Sequence, residues 1–413
     1  MERIAGAQAG GRIAAIDFLR GITILGILAV NIDGFAGPIA ATLTPDWNGP
    51  VSAGGHLSFA IMTVLFEGKM RALLSLMFGA SMLLFIDSLE AAGRNGEVLQ
   101  LRRLAWLAVI GYLHFLLLWW GDILFTYAFA GFFALLLRRL SSRTLLPAAL
   151  AFFVLWHGLD VPSTIAATQA EQRMLTGTAS IAERSAISAE RTANLKEARL
   201  EQASEAGSYA NLIDHKLGQK ADLPMIIAIN SLGETLPLML IGMVLYRSGF
   251  FSGGWLRRRL VWTAILGIGL GGLATVLLTA LAWSRGFPPR LMDALFASWM
   301  AVPHLVMAMG YAAALLLLAT RWTTGALRQR IVAIGRMALS NYLGCSLVMT
   351  ALFYGWGLGL GERVPESALW AFVAGGWIVM LLVSQPWLAR FRQGPIEWLW
   401  RSLTNGQRLP FRR

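Results

Sequence analysis

The sequence predicts an all-α, polytopic membrane helix bundle of about ten transmembrane helices, with both termini cytoplasmic. Three observations lead there. Of the 413 residues, 56% are hydrophobic and only 14% charged; apolar runs repeatedly approach ~20 residues, the length of a bilayer-crossing helix; and Lys and Arg collect in the short segments between those runs. The mean hydropathy of +0.59 exceeds that of a soluble domain with a solvated surface. A membrane β-barrel would show short alternating strands instead. The formal charge of +12 would suggest nucleic acid in a soluble chain, but here the basic residues act as topology signals, so the bilayer is the expected partner and nucleic acid is not. Cys345 is the only cysteine, so no intrachain disulfide can form.

The first span is placed at 18–37. Its leader, MERIAGAQAGGRIAAIDFLRG, carries the charge of a signal peptide, yet the apolar run continues into Asn31 and Asp33 with no small-residue cleavage site, so it is read as retained. The second span, 68–89, follows LSFAIMTVLF, which is too short to cross alone and is expected to be re-entrant or interfacial. Spans follow at 103–121, 122–139 and 144–161. A loop over 162–222 separates these five from five more at 224–246, 259–282, 293–319, 331–352 and 367–388. The loop repeats AERSA and AERTA among good helix formers, and is expected to form a helical cap outside the membrane. Three regions result: an N-terminal half, 1–161; the extracytoplasmic loop, 162–222; and a C-terminal half, 223–413, ending in a cytoplasmic interfacial tail rich in Trp and Arg. Basic clusters such as Arg102/Arg103, Arg138/Arg139 and Arg257/Arg258/Arg259 set the orientation.

Polar residues inside these apolar spans are the candidate site, because an ionisable side chain at mid-bilayer costs ~3 kcal/mol or more and is expected to face a shared interior cavity. Glu234 stands out, with Asn230 one turn before it on the same face and Pro237 freeing a carbonyl beyond it. The alternative is a protonated glutamate bridging helices. His304 follows Pro303 in another locally opened helix. Glu67, Lys69 and Arg71 interrupt the second span and are expected to point into protein or the outer interface. His114 lies two turns before WWGD, and Asp122 begins the next span, so the carboxylate can orient the imidazole as a base across the turn. Arg12, Asp17 and Arg20 open the first span, with Asn31 ~21 Å farther along it. Arg336 and Asn341 lie on the ninth span, which is polar on more than one side. No Walker motif, dinucleotide fingerprint, HExxH pair or serine elbow is present, and no metal or bound cofactor is expected.

Five ordered motifs, RIAAIDFLRGITILGILAVNI, FEGKMRALLSLMFG, LHFLLLWWGDILFTYA, IGRMALSNYLGCSLVMTALFYGWGLGL and GPIEWLWRSLT, resemble the YeiB-like bacterial inner-membrane family of unassigned function. The resemblance extends to the transmembrane acyltransferase superfamily, which includes the sugar O-acyltransferases and the lysosomal heparan glucosaminide N-acetyltransferase. It implies that Asn31 stands at a functional position, and that Trp47, Asn48 and Gly49 match the glucosaminide enzyme's Trp-Asn-Gly. That enzyme's catalytic histidine corresponds to Thr44 here.

The expected function is therefore transfer of an acyl group from a cytoplasmic donor such as acyl-CoA to a small-molecule, sugar or lipid acceptor at the outer face. Asn31, His114 and Glu234 are the expected catalytic residues, with Arg12, Arg20 and Arg336 as phosphate contacts. A proton-coupled transporter using Glu234, or a noncatalytic membrane partner, is the alternative. The absence of symmetry between the halves weighs against transport.

Overall fold

Serine and asparagine caps, at Ser52, Asn95, Ser141, Ser180 and Ser208, and the apolar lengths together determine where the helices run. In this computed structural model the backbone is described at 2–361 and 363–413, and side chains from 15 onward apart from 362. The Arg12 side chain lies outside that set. Helix α1 (Glu2–Ala36) leads through α2 (Ile39–Leu43) to α3 (Ala53–Leu65) and α4 (Lys69–Glu90). Helices α5 (Gly96–Leu117), α6 (Leu124–Leu137) and α7 (Ser142–Leu175) follow, then a hairpin of α8 (Ile181–Ala206) and α9 (Tyr209–Gln219). The C-terminal half comprises α10 (Leu223–Asn230), α11 (Leu232–Arg247), α12 (Arg257–Ser284), α13 (Pro289–Ala294), α14 (Ala301–Arg321), α15 (Ala326–Arg336), α16 (Ala338–Phe353), α17 (Leu369–Arg390) and α18 (Pro395–Asn405). Among the described residues the only extended pairing is the isolated bridge between Phe391 and Arg412.

The all-α membrane class stands. Among the described residues, six helical stretches are long and apolar enough to cross a bilayer, or eight if each of two bent pairs, α10–α11 and α15–α16, counts as one crossing. Helices α5 and α6 occupy two further expected spans without meeting that measure. Glu97, Arg102 and Arg103 charge the start of α5, and α6 has only 14 residues.

The stretch LSFAIMTVLF forms most of α3, and Ala53–Glu90 makes one 38-residue apolar stretch with a junction at Gly68, at ~1.5 Å per residue longer than the ~30 Å hydrocarbon core. Helix α7 runs on to Leu175, into the segment read as the loop. One local expectation changes. The ninth span is not one helix; it breaks at Met337 and turns by 85° between α15 and α16.

The bundle closes where glycine lets backbones touch. A Cβ on Gly79 of α4 would lie 1.9 Å from the Met239 carbonyl oxygen of α11, and one on Gly242 would lie 2.0 Å from that of Leu76. Small residues allow this approach in a membrane, where helices associate by packing and hydrogen bonding.

The α8–α9 hairpin packs against the bundle. A Ser180–Glu183 capping box starts α8, and Ser208 accepts from Asn211 N at the start of α9. It docks through buried charged groups. Glu201 Oε2 accepts from Ile39 N (3.3 Å), Tyr354 donates to Glu205 Oε1 (2.8 Å), and Lys216 Nζ donates to the Phe115 carbonyl (2.8 Å). Burial pushes Glu201 up to about 7, with Ile39 N–H, Lys220 and Lys216 opposing and Glu197 adding to the rise. It pushes Glu205 up further, and Lys216 down to about 8 against the pull of Glu205 and Glu201. The raised Glu201 contributes stability that is present below its ordinary 4.5 and lost as pH rises through about 7. The depressed Lys216 contributes stability present above 10.5 and lost as pH falls through about 8. Docking is therefore expected to be weakest near pH 7–8 and firmer toward pH 5 and pH 10. Hydrogen exchange in α8 across that range checks it; a flat profile would contradict the assignment.

Candidate functional site

A cavity of about 480 Å³ opens among α1, α4, α5, α6, α16 and α18. Arg20, Arg94, Arg103, Arg336 and Arg401 line it together with the apolar side chains of Ile24, Leu74, Met77, Phe78, Leu107 and Leu124. The arginines are held by distinct means. Arg20 donates to Asp17 Oδ1 and Ser81 Oγ, both at 3.0 Å. The Arg103 guanidinium lies over the Phe85 and Trp400 rings, 4.7 and 4.3 Å from their centroids, a cation–π sandwich that fixes its plane. Arg336 donates to the Arg392 carbonyl (3.4 Å). Burial pushes Arg401, on α18, below its ordinary value; Glu397 opposes this, while Arg20 and Arg336 add like-charge repulsion. Such a cationic group is poised for an anion. Close backbone contact sets its floor: Gly335 would carry a Cβ 1.8 Å from the Asp17 carbonyl oxygen, so α15 lies directly on α1.

Along α5, eleven residues and ~16 Å beyond Arg103, stands His114. The structure joins it to Asp122 as the sequence suggested: His114 Nδ1 lies 2.7 Å from Asp122 Oδ2, both side chains enclosed. Asp122 Oδ1 accepts from Phe125 N (2.7 Å), which anchors the carboxylate at the start of α6. With the carboxylate accepting from Nδ1–H, the lone pair resides on Nε2, which is buried without a hydrogen-bond partner. Glycine at 111 is required, because a Cβ there would meet Phe125 N at 2.4 Å and Asp122 Oδ1 at 2.7 Å.

Tyr342 connects the parts. It lines the cavity, its ring centroid is 5.1 Å from that of His114, and its hydroxyl donates to the Gly121 carbonyl (3.1 Å) and accepts from Ile123 N (3.3 Å). Together with Ile24 it also lines a second, 10 Å³ space beside Asn31, Cys345 and Ser346, about the size for one water. Asn31 is thereby brought within one side chain of the cavity that holds Arg20 and Arg336.

The charged break forms a separate cluster. The α3–α4 junction turns at Gly68 (φ 72°), and Lys69, fully buried, donates to the Thr63 carbonyl (2.7 Å). Arg71 stands between Glu67 Oε1 (3.2 Å) and Glu234 Oε2 (3.7 Å), so all three charges of the break face protein. Glu234 is thus an ion-pair partner of Arg71, and it does not line the 480 Å³ cavity. Asn230 does not join it: α10 and α11 bend by 60° at Ser231, and Asn230 is exposed at the end of α10. Pro237 lies inside α11, which runs unbroken from Leu232 to Arg247, so the bend precedes the turn in which the proline sits. His304, enclosed and with Nε2 unpartnered, packs on Gly68, where a Cβ would lie 1.9 Å from its Nδ1. It sits in the first turn of α14, after a π-helical turn at Leu295–Trp299.

Asn341 bridges helices, donating to the Ile334 carbonyl (3.2 Å) and Ser384 Oγ (3.1 Å), and does not line the cavity. Thr44, at the position the resemblance gives to a histidine, donates to the Phe287 carbonyl (2.9 Å). The tail was expected only to anchor; instead Glu397, Trp400, Arg401, Thr404 and Asn405 form a cavity wall. Their i, i+3, i+4, i+7, i+8 spacing was the available signal. Arg94, Arg103 and Tyr342 also line the cavity without having been singled out as site residues, the arginines because charge beside the start of a span served equally well as topology.

Residues 245–407 match the family described as Protein of unknown function (DUF418). The chain is 31% identical to the protein named "Uncharacterized protein YeiB" of Escherichia coli (strain K12), over 95% of this chain and 96% of that one. It is 28% identical to "Uncharacterized protein YxaH" of Bacillus subtilis (strain 168), over 95% and 94% respectively. No solved structure matches. Similarity at that level along almost the entire length of both chains establishes that this protein belongs to the YeiB-like family.

Proposed function

We propose that this protein is an acyl-transferring membrane enzyme that takes an acyl group from a cytoplasmic, phosphate-bearing donor such as acyl-CoA and passes it to an acceptor reached from the outer face. One observation carries the reading: a cavity lined by five arginines and by apolar side chains shares Tyr342 with a buried His–Asp dyad, whose imidazole lies 5.1 Å from the Tyr342 ring. Arg20, Arg103, Arg336 and Arg401 suit the donor's phosphates. The ~16 Å between Arg103 and His114 suits an extended thioester arm.

In this reading the acceptor's hydroxyl or amine attacks the thioester carbonyl while His114 Nε2 takes its proton. Asp122 holds the imidazole in the required tautomer and stabilises the imidazolium. Collapse of the tetrahedral intermediate breaks the C–S bond, and the thiolate recovers the proton from His114. Asn31, beside the small space at Tyr342, suits hydrogen bonding to the acyl carbonyl or acceptor. The acceptor class is a sugar, a lipid or another small hydroxyl or amine compound.

The proposed topology is ten crossings of an inner membrane with both ends cytoplasmic, counting α5 and α6 and each bent pair once. Reporter fusions at Arg413 and near Ala193 should localise to opposite sides; same-side signals would overturn this arrangement. Purified protein in lipid should consume labelled acyl-CoA and acylate an acceptor, and Arg103→Ala with Arg401→Ala should raise the KM for the donor at least tenfold. Absence of acyl consumption with substrate uptake into proteoliposomes would favour instead a transporter, for which the Glu67–Arg71–Glu234 ion group is the supporting feature.

A further inference from the structure

The C-terminal segment is built as a flap. Its two ends are tied to each other at the end of α17: Phe391 bridges Arg412, Arg392 N donates to the Phe411 carbonyl (3.0 Å), and Arg413 N donates to that of Arg390 (3.3 Å). Between them α18 starts after Gly394 and stops at Gly406, in the left-handed region at φ 66°. Trp398 Nε1 donates to the Leu409 carbonyl (2.7 Å), so the returning strand is fastened to the helix it follows. The module 391–413 therefore has its own internal bonds and a base at one place.

Its contacts with the bundle are of another kind. Glu397 reaches the start of α16, where Oε1 accepts from Leu339 N (2.7 Å) and Ser340 N (3.0 Å), and Oε2 from the Ser340 hydroxyl. A carboxylate on free N–H groups at a helix start takes the role an anion takes there. The same carboxylate lines the cavity, in the company of Arg336 and Arg401. Trp400 Nε1 donates to the Arg103 carbonyl (2.8 Å), and Arg94 donates to Asn405 Oδ1 (3.0 Å), so the flap also engages two of the cavity's arginine positions.

We propose that α18 is a gate on the cavity, latched by Glu397, and that an anionic ligand opens it by replacing the Glu397 carboxylate among the α16 amides and the neighbouring arginines. The anion class, the phosphate groups of a donor such as a CoA thioester, rests on the reading of the cavity given above; the latch does not. Displacement exchanges one anion for another, so the arginines and the α16 start stay satisfied while Glu397 moves to water. The internal bonds of 391–413 let the segment swing without unfolding.

The test uses full-length protein in detergent with Cys345→Ser and Thr404→Cys, since Thr404 lies on the cavity-facing side of α18 and is buried there at 3% exposure. Maleimide labelling of that cysteine should be slow and should accelerate with desulfo-CoA, a thiol-free probe. Glu397→Gln keeps an oxygen acceptor but removes the charge. It should label fast without ligand and bind desulfo-CoA about fivefold tighter, the scale of one charge at a helix start. Ser340→Ala, which keeps both backbone amides, should fall between the two and guards against misfolding of the Gln variant. Slow labelling in both variants, with unchanged probe affinity, would overturn the gate. Fast labelling in Glu397→Gln with no desulfo-CoA binding to any form would uphold the latch and remove the CoA-type donor.

Discussion

His114→Asn is expected to lower acyl transfer by ~10²–10⁴-fold, the usual value of a positioned general base. Asparagine keeps an N–H donor where Nδ1 meets Asp122 Oδ2 at 2.7 Å, so the buried carboxylate stays partnered, while Nε2 is removed. The dyad's enclosure makes that choice necessary, since alanine would strand a buried charge at a cost of several kcal/mol. Donor affinity should hardly change, because the arginines lie ~16 Å away along α5. A fall in kcat with unchanged donor binding, and a similar fall for Asp122→Asn through loss of the correct tautomer, is the expected pattern. Full transfer activity in His114→Asn would remove the dyad from the chemistry.

The second large effect is on stability. Arg71→Met is expected to destabilise the bundle by ~3 kcal/mol, because it leaves Glu67 and Glu234 facing each other without the cation between them. The figure is at the low end for a broken buried pair because the Arg71 side chain keeps 41% of its surface. Glu234→Gln should cost less, since Arg71 retains Glu67 at 3.2 Å and the glutamine can still accept. Thermal unfolding in detergent should therefore rank wild type, Glu234→Gln and Arg71→Met in descending order. Equal melting of Arg71→Met and wild type would show that the cluster is solvated.

The ranking has a functional reading too. Transfer activity that survives Glu234→Gln would make Glu234 a structural partner of Arg71, leaving the reaction to the dyad. Loss of activity without loss of stability would restore the proton-handling role that its place in the membrane suggested.

Residues on a single helix, or across one tight turn, were legible from spacing. The membrane class followed from hydropathy alone, since each span must satisfy its own backbone hydrogen bonds in lipid. His114 and Asp122 flank a short turn, so their meeting was readable locally. That Glu67, Lys69 and Arg71 face protein followed from the cost of placing charge in lipid. Asn230 and Glu234 were misjudged for a related reason: helical spacing assumes an unbroken helix, and the chain bends by 60° at Ser231 between them.

What the sequence by itself determined, then, is the set of costs each segment must avoid: exposed backbone in lipid, unpaired charge, a helix start without an acceptor. Only the tertiary structure decided which partner relieves each cost. Arg71 takes Glu234 from a helix more than 160 positions away, and the α16 amides at Leu339 and Ser340 take Glu397 from the tail. The arginine-lined cavity exists because α1, α4, α5, α16 and α18 converge there. Periodicity describes the faces of one helix; it carries no information about which two faces meet, because that depends on close approaches such as Gly79 on Met239 and Gly335 on Asp17, set by the shapes of both surfaces at once.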